Sequence, residues 1–144
     1  NDVNYSINYE PSESSTSLFG GNSNWRGPVW FPMNYLFIQS IKEYYQYCGD
    51  DLKFEFPTGS KNLVTLKEIS VAISKRLIAI FEKDKDGNRV VHALHKEIYA
   101  TEYFKDLILF YEYFHGDNGR GVGASHQTGW TSLVANLIDE INAL

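Results

Sequence analysis

One glutamate of this sequence stands between two pairs of aromatic residues, in the order Phe110, Tyr111, Glu112, Tyr113 and Phe114. A carboxylate surrounded by rings is a candidate general base, because such a base must meet its proton donor in a shielded, shaped environment. The competing interpretation is a surface glutamate whose aromatic neighbours face a core. The residues alone leave both interpretations open.

A second group of chemically capable residues lies in a loop shaped by glycine and proline. Asn24, Trp25, Arg26, Gly27 and Trp30 follow one another there within seven positions. Tryptophan faces stack on the apolar C–H side of sugar rings, whereas arginine and asparagine hydrogen-bond hydroxyl groups. The alternative is a structural loop whose tryptophan packs against the base of a helix.

A third group follows on a glycine-rich loop, where His126, Gln127 and Trp130 lie close together. Glycines at positions 119, 121 and 123 resemble a phosphate-binding loop, but neither a Lys-Ser/Thr pair nor a preceding predicted strand accompanies them. We therefore exclude a nucleotide-binding loop. A lone histidine is more often structural than catalytic.

Amphipathic helices must position these loops. Apolar spacing predicts four helices, over residues 33–48, 66–81, 102–113 and 131–144, with Glu112 in the last turn of the third. Residues 1–24 are predicted as a loop with a short strand at 5–9, residues 54–62 as irregular, and residues 84–88 as a turn. The long connections carry aromatics and glycines, which is typical of loops that carry the function.

Composition narrows the class of protein. The 144 residues fit one domain, and 13 basic against 18 acidic residues give a net charge of −5, which argues against broad binding of nucleic acid or anionic membranes. No apolar run approaches the roughly 20 residues of a membrane helix. Cys48 is the single cysteine, so an intrachain disulfide and a cysteine zinc site are excluded. We expect no metal and no cofactor.

Taken in order, the three segments resemble the C-terminal part of a glycoside hydrolase family 63 catalytic domain. The resemblance rests on residues 21–30, 110–116 and 123–131, whose order and spacing match, and it covers nearly the whole chain. The Trp-Arg-Gly-Pro motif also occurs in the related trehalase clan, so the three segments together are the more specific signal.

The resemblance implies an all-α fold, a partial (α/α)6 toroid of about four helices with long loops, comprising residues 1–144. It also implies that Glu112 is the general base. The residues that it implies for lining the sugar pocket come from the two flanking loops: Asn24, Trp25, Arg26, Gly27, Trp30, His126, Gln127 and Trp130.

The implied activity is hydrolysis of α-glycosidic bonds with inversion, on a substrate of the α-glucosidase or mannosylglycerate-hydrolase kind. The general acid of the family is an aspartate upstream of the Trp-Arg-Gly-Pro loop, and Asp2 has no matching context. We therefore expect the isolated chain to be inactive and its partners to be a glycoside or oligosaccharide and the remainder of the same catalytic domain.

Two alternatives from other functional classes stay open: a carbohydrate-binding module and a helical interaction module. The sequence starts at Asn1 and has Met33 as its single methionine, which favours a piece of a longer protein. One cysteine and no recognisable leader favour a cytoplasmic location.

Overall fold

The first long helix forms where the sequence predicts it. The computed structural model of the chain describes residues 7–16 and 25–144. Helix α1 spans Phe31–Cys48 and has a proline in its first turn. Proline lacks an N–H there without loss, because the N–H groups of the first turn have no acceptor inside the helix. It ends at Gly49, whose φ of 65° lies in the left-handed region. The predicted helix over 33–48 is confirmed.

A β-hairpin that the sequence analysis did not predict connects the first two long helices. Strands β1, Lys53–Glu55, and β2, Leu63–Thr65, pair antiparallel, with Lys53 opposite Thr65. They flank the region predicted as irregular, residues 54–62, and only β1 overlaps its start. Their mostly exposed residues give no alternating apolar pattern from which strands could be recognised.

Helix α2, Leu66–Ala79, begins at a capping box. Thr65 Oγ1 accepts from Glu68 N at 3.2 Å, and Glu68 Oε2 accepts from Thr65 N at 2.8 Å. The helix over residues 66–81 is thus confirmed apart from its last two residues. The predicted turn at 84–88 is also present, where Gly87 N donates to Asp84 O at 3.0 Å.

The predicted helix over residues 102–113 is wrong. A 3-10 helix, Val90–His95, and the single turn α3, Lys96–Tyr99, are followed by turns over residues 101–106 and by extended backbone. Strand β3, Tyr113–Phe114, then pairs antiparallel with β4, Gly121–Val122. Residues 101–107 make only local turn hydrogen bonds, such as Lys105 N to Thr101 O at 2.9 Å, whereas the backbone of Glu112 and Phe114 bonds to distant segments. Apolar spacing therefore misled the helix assignment.

The last predicted helix is present in two parts. The single turn α4, Thr128–Thr131, is followed after Ser132 by α5, Leu133–Asn142. Together they correspond to the predicted helix over 131–144, which starts three residues earlier than expected.

The long helices pack on one another around a core of aromatic and aliphatic side chains. Helix α1 contacts α2 and α5, and α2 also contacts α5. A partly buried network adds to this packing, in which Glu140 of α5 accepts from Lys42 and Gln39 of α1. The fully enclosed members of the core come from several elements: Phe31, Ile38, Phe114 and Leu137.

The described residues therefore form a mainly helical structure with long loops and two small two-stranded sheets. The sheets correct the all-α expectation, and the partial toroid stays a prediction. Residues 7–9 form no strand, and the rest of the strand expected at 5–9 lies outside the described residues.

Candidate functional site

The aromatic segment around Glu112 is an extended strand paired with the Trp-Arg-Gly-Pro loop. Val29 N donates to Phe114 O at 2.8 Å, and Phe114 N donates back to Val29 O at 2.9 Å. On its other side, Phe114 pairs with Gly121 of β4. Two segments more than eighty residues apart in sequence are thus held together by reciprocal backbone hydrogen bonds.

The glycine-rich loop completes the assembly. Glu112 N donates to Ala124 O at 2.8 Å, and Gln127 N donates to Phe110 O at 2.8 Å. The fully buried Thr131 donates through Oγ1 to Tyr111 O at 2.6 Å. The three segments singled out in the sequence therefore meet along residues 110–114.

The tryptophans of two segments form one cluster with Tyr113, which we call the aromatic stack. Trp25 lies on Trp30 with ring centroids 4.3 Å apart, and Trp30 lies on Tyr113 at 4.5 Å. Trp130 meets Trp30 edge-on at 5.9 Å. Trp30 and Tyr113 are buried, whereas Trp25 is 61% exposed, so the stack ends in an accessible ring face.

Glu112 is half-buried beside this stack. Tyr111 and Tyr113, its neighbours along the extended backbone, are both buried. Its Oε2 accepts from Ala124 N at 3.1 Å. The expected place of Glu112 in the last turn of a helix is wrong, because the residue lies in a bend directly before β3.

The absence of a side chain at Gly123 allows both the carboxylate of Glu112 and the ring of Tyr113 to pack against the backbone of this residue. A Cβ at this position would lie 2.6 Å from Glu112 Oε2 and 2.7 Å from Tyr113 Cε1. Its φ of 74° also lies where side chains are disfavoured. Both groups therefore converge over a glycine that neither could approach if it carried a side chain.

Two buried polar atoms of the cluster lack hydrogen-bond partners within the part of the chain that the structure describes. These are Tyr113 Oη and Trp130 Nε1. Burial raises the pKa of the Tyr113 hydroxyl to about 12, and the negative charges of Glu13 and Glu112 add to the rise. Tyr113 is consequently protonated at neutral pH.

Arg26 is bound to the segment of residues 9–15 by an ion pair and a hydrogen bond. Its Nη2 pairs with Glu10 Oε2 at 2.6 Å and donates to Ser14 Oγ at 2.7 Å. The backbone of the next residue, Gly27, passes so close to Glu10 that a Cβ would lie 2.6 Å from the Glu10 carbonyl oxygen. Arg26 and Gly27 thus belong to a tightly packed base of the loop.

The remaining sequence-predicted residues are placed as follows. The backbone of His126 pairs with Phe110 while the residue itself is exposed, and Gln127 is half-buried. Asn24 lies outside the described residues. The structure therefore brings Glu112 together with all three tryptophans in one region.

Three contributors were missed by sequence reasoning. Tyr113 was noted as an aromatic neighbour of Glu112, but its place in the stack depends on strand pairing. Gly123 gave a signal, since a glycine in a loop often marks a close approach. Glu10 gave none, because its partner Arg26 lies sixteen positions away.

The described residues, 7–16 and 25–144, contain neither a metal-binding group nor a membrane-spanning helix. No group of three or more His, Cys, Asp or Glu residues there is arranged to hold a metal ion. None of the helices found there combines the length and apolarity needed to cross a membrane.

The chain is similar to known proteins over most of its length. The family model described as "Glycosyl hydrolase family 63 C-terminal domain" matches residues 13–140. An uncharacterized protein of Saccharomyces cerevisiae, YMR196W, is 45% identical over 143 residues, which are 98% of this chain and 13% of that protein.

Two more distant relatives carry functional names. The mannosyl-oligosaccharide glucosidase of Saccharomyces cerevisiae is 28% identical over 121 residues, which are 83% of this chain and 11% of that enzyme. The probable mannosyl-oligosaccharide glucosidase of Schizosaccharomyces pombe is 28% identical over 120 residues, with the same two shares. The chain thus spans only about a tenth of the length of these relatives. From the family match over residues 13–140, we conclude that the chain belongs to glycosyl hydrolase family 63, in its C-terminal domain.

Proposed function

We propose that this chain is part of the catalytic domain of an inverting α-glycosidase and supplies its general base, Glu112. The observation that carries the proposal is the convergence of the three segments along residues 110–114, with Glu112 beside the aromatic stack. In an inverting mechanism such a carboxylate activates a water molecule, and an acid about 6.5–9.5 Å away protonates the leaving group. The acid would come from another part of the domain.

The aromatic stack supports the choice of substrate class. Its outer member, Trp25, presents an exposed ring face on which the C–H side of a sugar ring could stack. In this proposal Arg26 and Asn24 border that face, and His126, Gln127 and Trp130 close the pocket from the glycine-rich loop. Because two relatives are named as mannosyl-oligosaccharide glucosidases, glucosides are the first substrates to test, followed by mannosylglycerate.

Hydrolysis assays test the catalytic proposal directly. An α-glucoside is offered to the isolated chain and to the complete protein in which this sequence occurs. We expect no turnover by the isolated chain, and turnover by the complete protein that Glu112→Gln lowers by roughly 10²–10⁴-fold. The control is Glu97→Gln, since this glutamate of α3 is exposed and none of the contacts of the stack involves it. Full activity of the Glu112→Gln variant would refute the assignment.

The stereochemistry of the product provides a second readout. NMR spectra recorded early in the reaction show which anomer is released before mutarotation. Inversion predicts a β-product from an α-glycoside, because water attacks from the face opposite the leaving group. An α-product at early times would count against Glu112 as a base and for a covalent mechanism.

Carbohydrate binding without catalysis is the second candidate function, and the exposed face of Trp25 favours it. Titration of the tryptophan fluorescence of the isolated chain with glucose, mannose and disaccharides separates the two candidates. Saturable binding that is lost in Trp25→Ala and kept in Tyr47→Ala supports a binding module, because Tyr47 is an aromatic residue on α1 that is even more exposed than Trp25. An unresponsive chain excludes it.

A second apolar face of α1 supports the remainder of the catalytic domain as a partner. One side of α1 buries Phe31, Ile38 and Ile41, yet another set of large apolar side chains stays exposed. A helix that is apolar on two sides is usually packed on two sides. The exposed set consists of Met33, Leu36, Phe37, Tyr44 and Tyr47.

The proposed packing of α1 against the remainder of the domain can be tested with one variant measured in the isolated chain and in the complete protein. Leu36→Glu should leave the unfolding of the isolated chain nearly unchanged, because the side chain is already exposed. In the complete protein the same change should lower the melting temperature, since it would place a charge in a packed interface. An unaltered melting temperature there would argue that this face of α1 remains in solvent.

A further inference from the structure

The short segment of residues 9–15 links two of the loops that build the site. Tyr9 Oη donates to Asp117 Oδ1 at 2.7 Å, and Gly116 N donates to Pro11 O at 2.8 Å. Both acceptor and donor lie in the turn between β3 and β4. The 9–15 segment is therefore attached to the turn that follows β3, the strand that begins directly after Glu112.

The same segment also holds the base of the Trp25 loop. The Glu10 carboxylate and the Arg26 guanidinium pair at 2.6 Å, with only 14% and 13% of their side chains exposed. Removing one member of such an enclosed pair leaves the other charge poorly solvated. The path of the loop at Arg26 therefore depends on the charge of Glu10.

Glu10 is itself held in place from its own side. Ser15 donates to its carboxylate from the backbone N at 2.9 Å and from Oγ at 2.7 Å. These hydrogen bonds, together with the Arg26 charge, hold the pKa of Glu10 below its usual value. The carboxylate thus reaches Arg26 as a charged and oriented group.

The position of the Trp25 ring depends on the Glu10–Arg26 ion pair and on the packing of Gly27. Its ring is mostly exposed, and Trp30 is the one ring that it stacks on among the described residues. Its neighbour Arg26 is anchored by the ion pair, and Gly27 is pressed against the Glu10 backbone. With little packing of its own, the Trp25 ring depends on the backbone that these two residues set.

We propose that Glu10 is a positioning residue for the carbohydrate site: through Arg26 it holds Trp25 on Trp30. The inference rests on the proposed function for its biological meaning, but its physical content is independent of any sugar. Closely spaced indoles couple their electronic transitions, so the Trp25–Trp30 pair should contribute an exciton couplet in circular dichroism. Because Trp30 also contacts Tyr113 and Trp130, the contribution of this pair is defined as the part of the couplet that is lost in Trp25→Ala.

The test compares three variants of the chain by that couplet, with the far-ultraviolet helix signal as the measure of folding. Glu10→Gln keeps the size of the side chain and removes its charge, so most of the couplet should be lost. Glu10→Asp keeps the charge and should retain most of it. Glu97→Gln is the control, because this glutamate of α3 is exposed and contacts no ring of the stack.

A double-mutant cycle then asks whether Glu10 acts through Arg26. In the Arg26→Gln background, adding Glu10→Gln should change the couplet no further. The proposal is overturned if Glu10→Gln keeps the full couplet, if Glu10→Asp loses as much as Glu10→Gln, or if the two changes are additive.

Sugar titrations of the same variants separate this inference from the proposed function. If the site binds sugar, Glu10→Gln should weaken binding several-fold, and Glu10→Asp should largely restore it. If the unmodified chain and the complete protein bind no sugar, the proposed function fails, whereas the couplet still decides whether Glu10 positions Trp25.

Discussion

Gly123 lies directly beneath the carboxylate of Glu112, so closely that a Cβ at position 123 would come within 2.6 Å of Glu112 Oε2. The same glycine has a φ of 74° and stands next to Ala124, whose N–H donates to that carboxylate at 3.1 Å. The carboxylate of Glu112, the proposed base, can thus take this position only because residue 123 has no side chain.

We predict that Gly123→Ala destabilises the chain and displaces Glu112. The left-handed backbone alone should cost about 1–3 kcal/mol in the free energy of unfolding. Urea unfolding measures this loss, with Gly129→Ala as the control, since a Cβ at 129 meets nothing within 4 Å. Equal stability of both variants would contradict the prediction.

Thr131 should stabilise the site through one buried hydrogen bond. Its Oγ1 donates to Tyr111 O at 2.6 Å, and the residue is fully enclosed. Thr131→Val preserves the shape but leaves the carbonyl unpaired, which should cost about 1–3 kcal/mol. The exposed Thr128 supplies the matched control, Thr128→Val, for which we expect little change in urea unfolding. A Thr131→Val chain as stable as this control would argue against the bond.

Tyr113 should tolerate the loss of its hydroxyl. The buried Oη has no hydrogen-bond partner among the described residues, so Tyr113→Phe should be neutral or should stabilise the isolated chain by about 1 kcal/mol. Tyr9→Phe is the opposite case, because it deletes a hydroxyl that donates to Asp117. Thermal unfolding distinguishes them; a clear loss in Tyr113→Phe would reveal a partner for Oη.

His92 should make stability depend on pH. It is buried, it accepts from Leu109 N at 3.3 Å, and it stacks on Tyr99. Burial, followed by the charges of Arg89 and His95, lowers its pKa from 6.5 to about 4.

The unfolded chain therefore takes up a proton at this histidine below pH 6.5 while the folded chain does so only near pH 4. The contribution is complete above pH 6.5 and declines as the pH falls towards 4, by about 3 kcal/mol in all. Urea unfolding of wild type and His92→Gln across this range should show a shallower slope for the variant. His95→Gln removes only the smallest of the three causes that lower the pKa of His92, so it should reduce the slope far less than His92→Gln does.

The long helices could be located from the sequence because their signals are local. Proline in the first turn and Gly49 after the last bracket α1, and the Thr65–Glu68 capping box begins α2. Each signal involves residues within a few positions of one another. Hydrogen bonds inside a helix have the same short range, so local pattern and structure agree.

The candidate site was identified by residue type but not by conformation. The aromatic residues around Glu112 were singled out by their type, yet their segment was assigned to a helix, and the structure has non-helical backbone that leads into the strand β3. Its hydrogen bonds run to Val29 and to Ala124. A strand is stabilised by partners that local spacing does not contain, so apolar periodicity could not identify it.

The sequence by itself therefore determined which residues are candidates for catalysis or sugar binding, where the three long helices lie, and to which family the chain belongs. Only the tertiary structure decided that Glu112 directly precedes a strand and lies over Gly123, that Trp25, Trp30 and Tyr113 form one stack, and that Arg26 is paired with Glu10. The physical reason is range: side-chain type and helical period are properties of neighbours, whereas strand pairing, ring stacking and ion pairing join residues that only folding brings together.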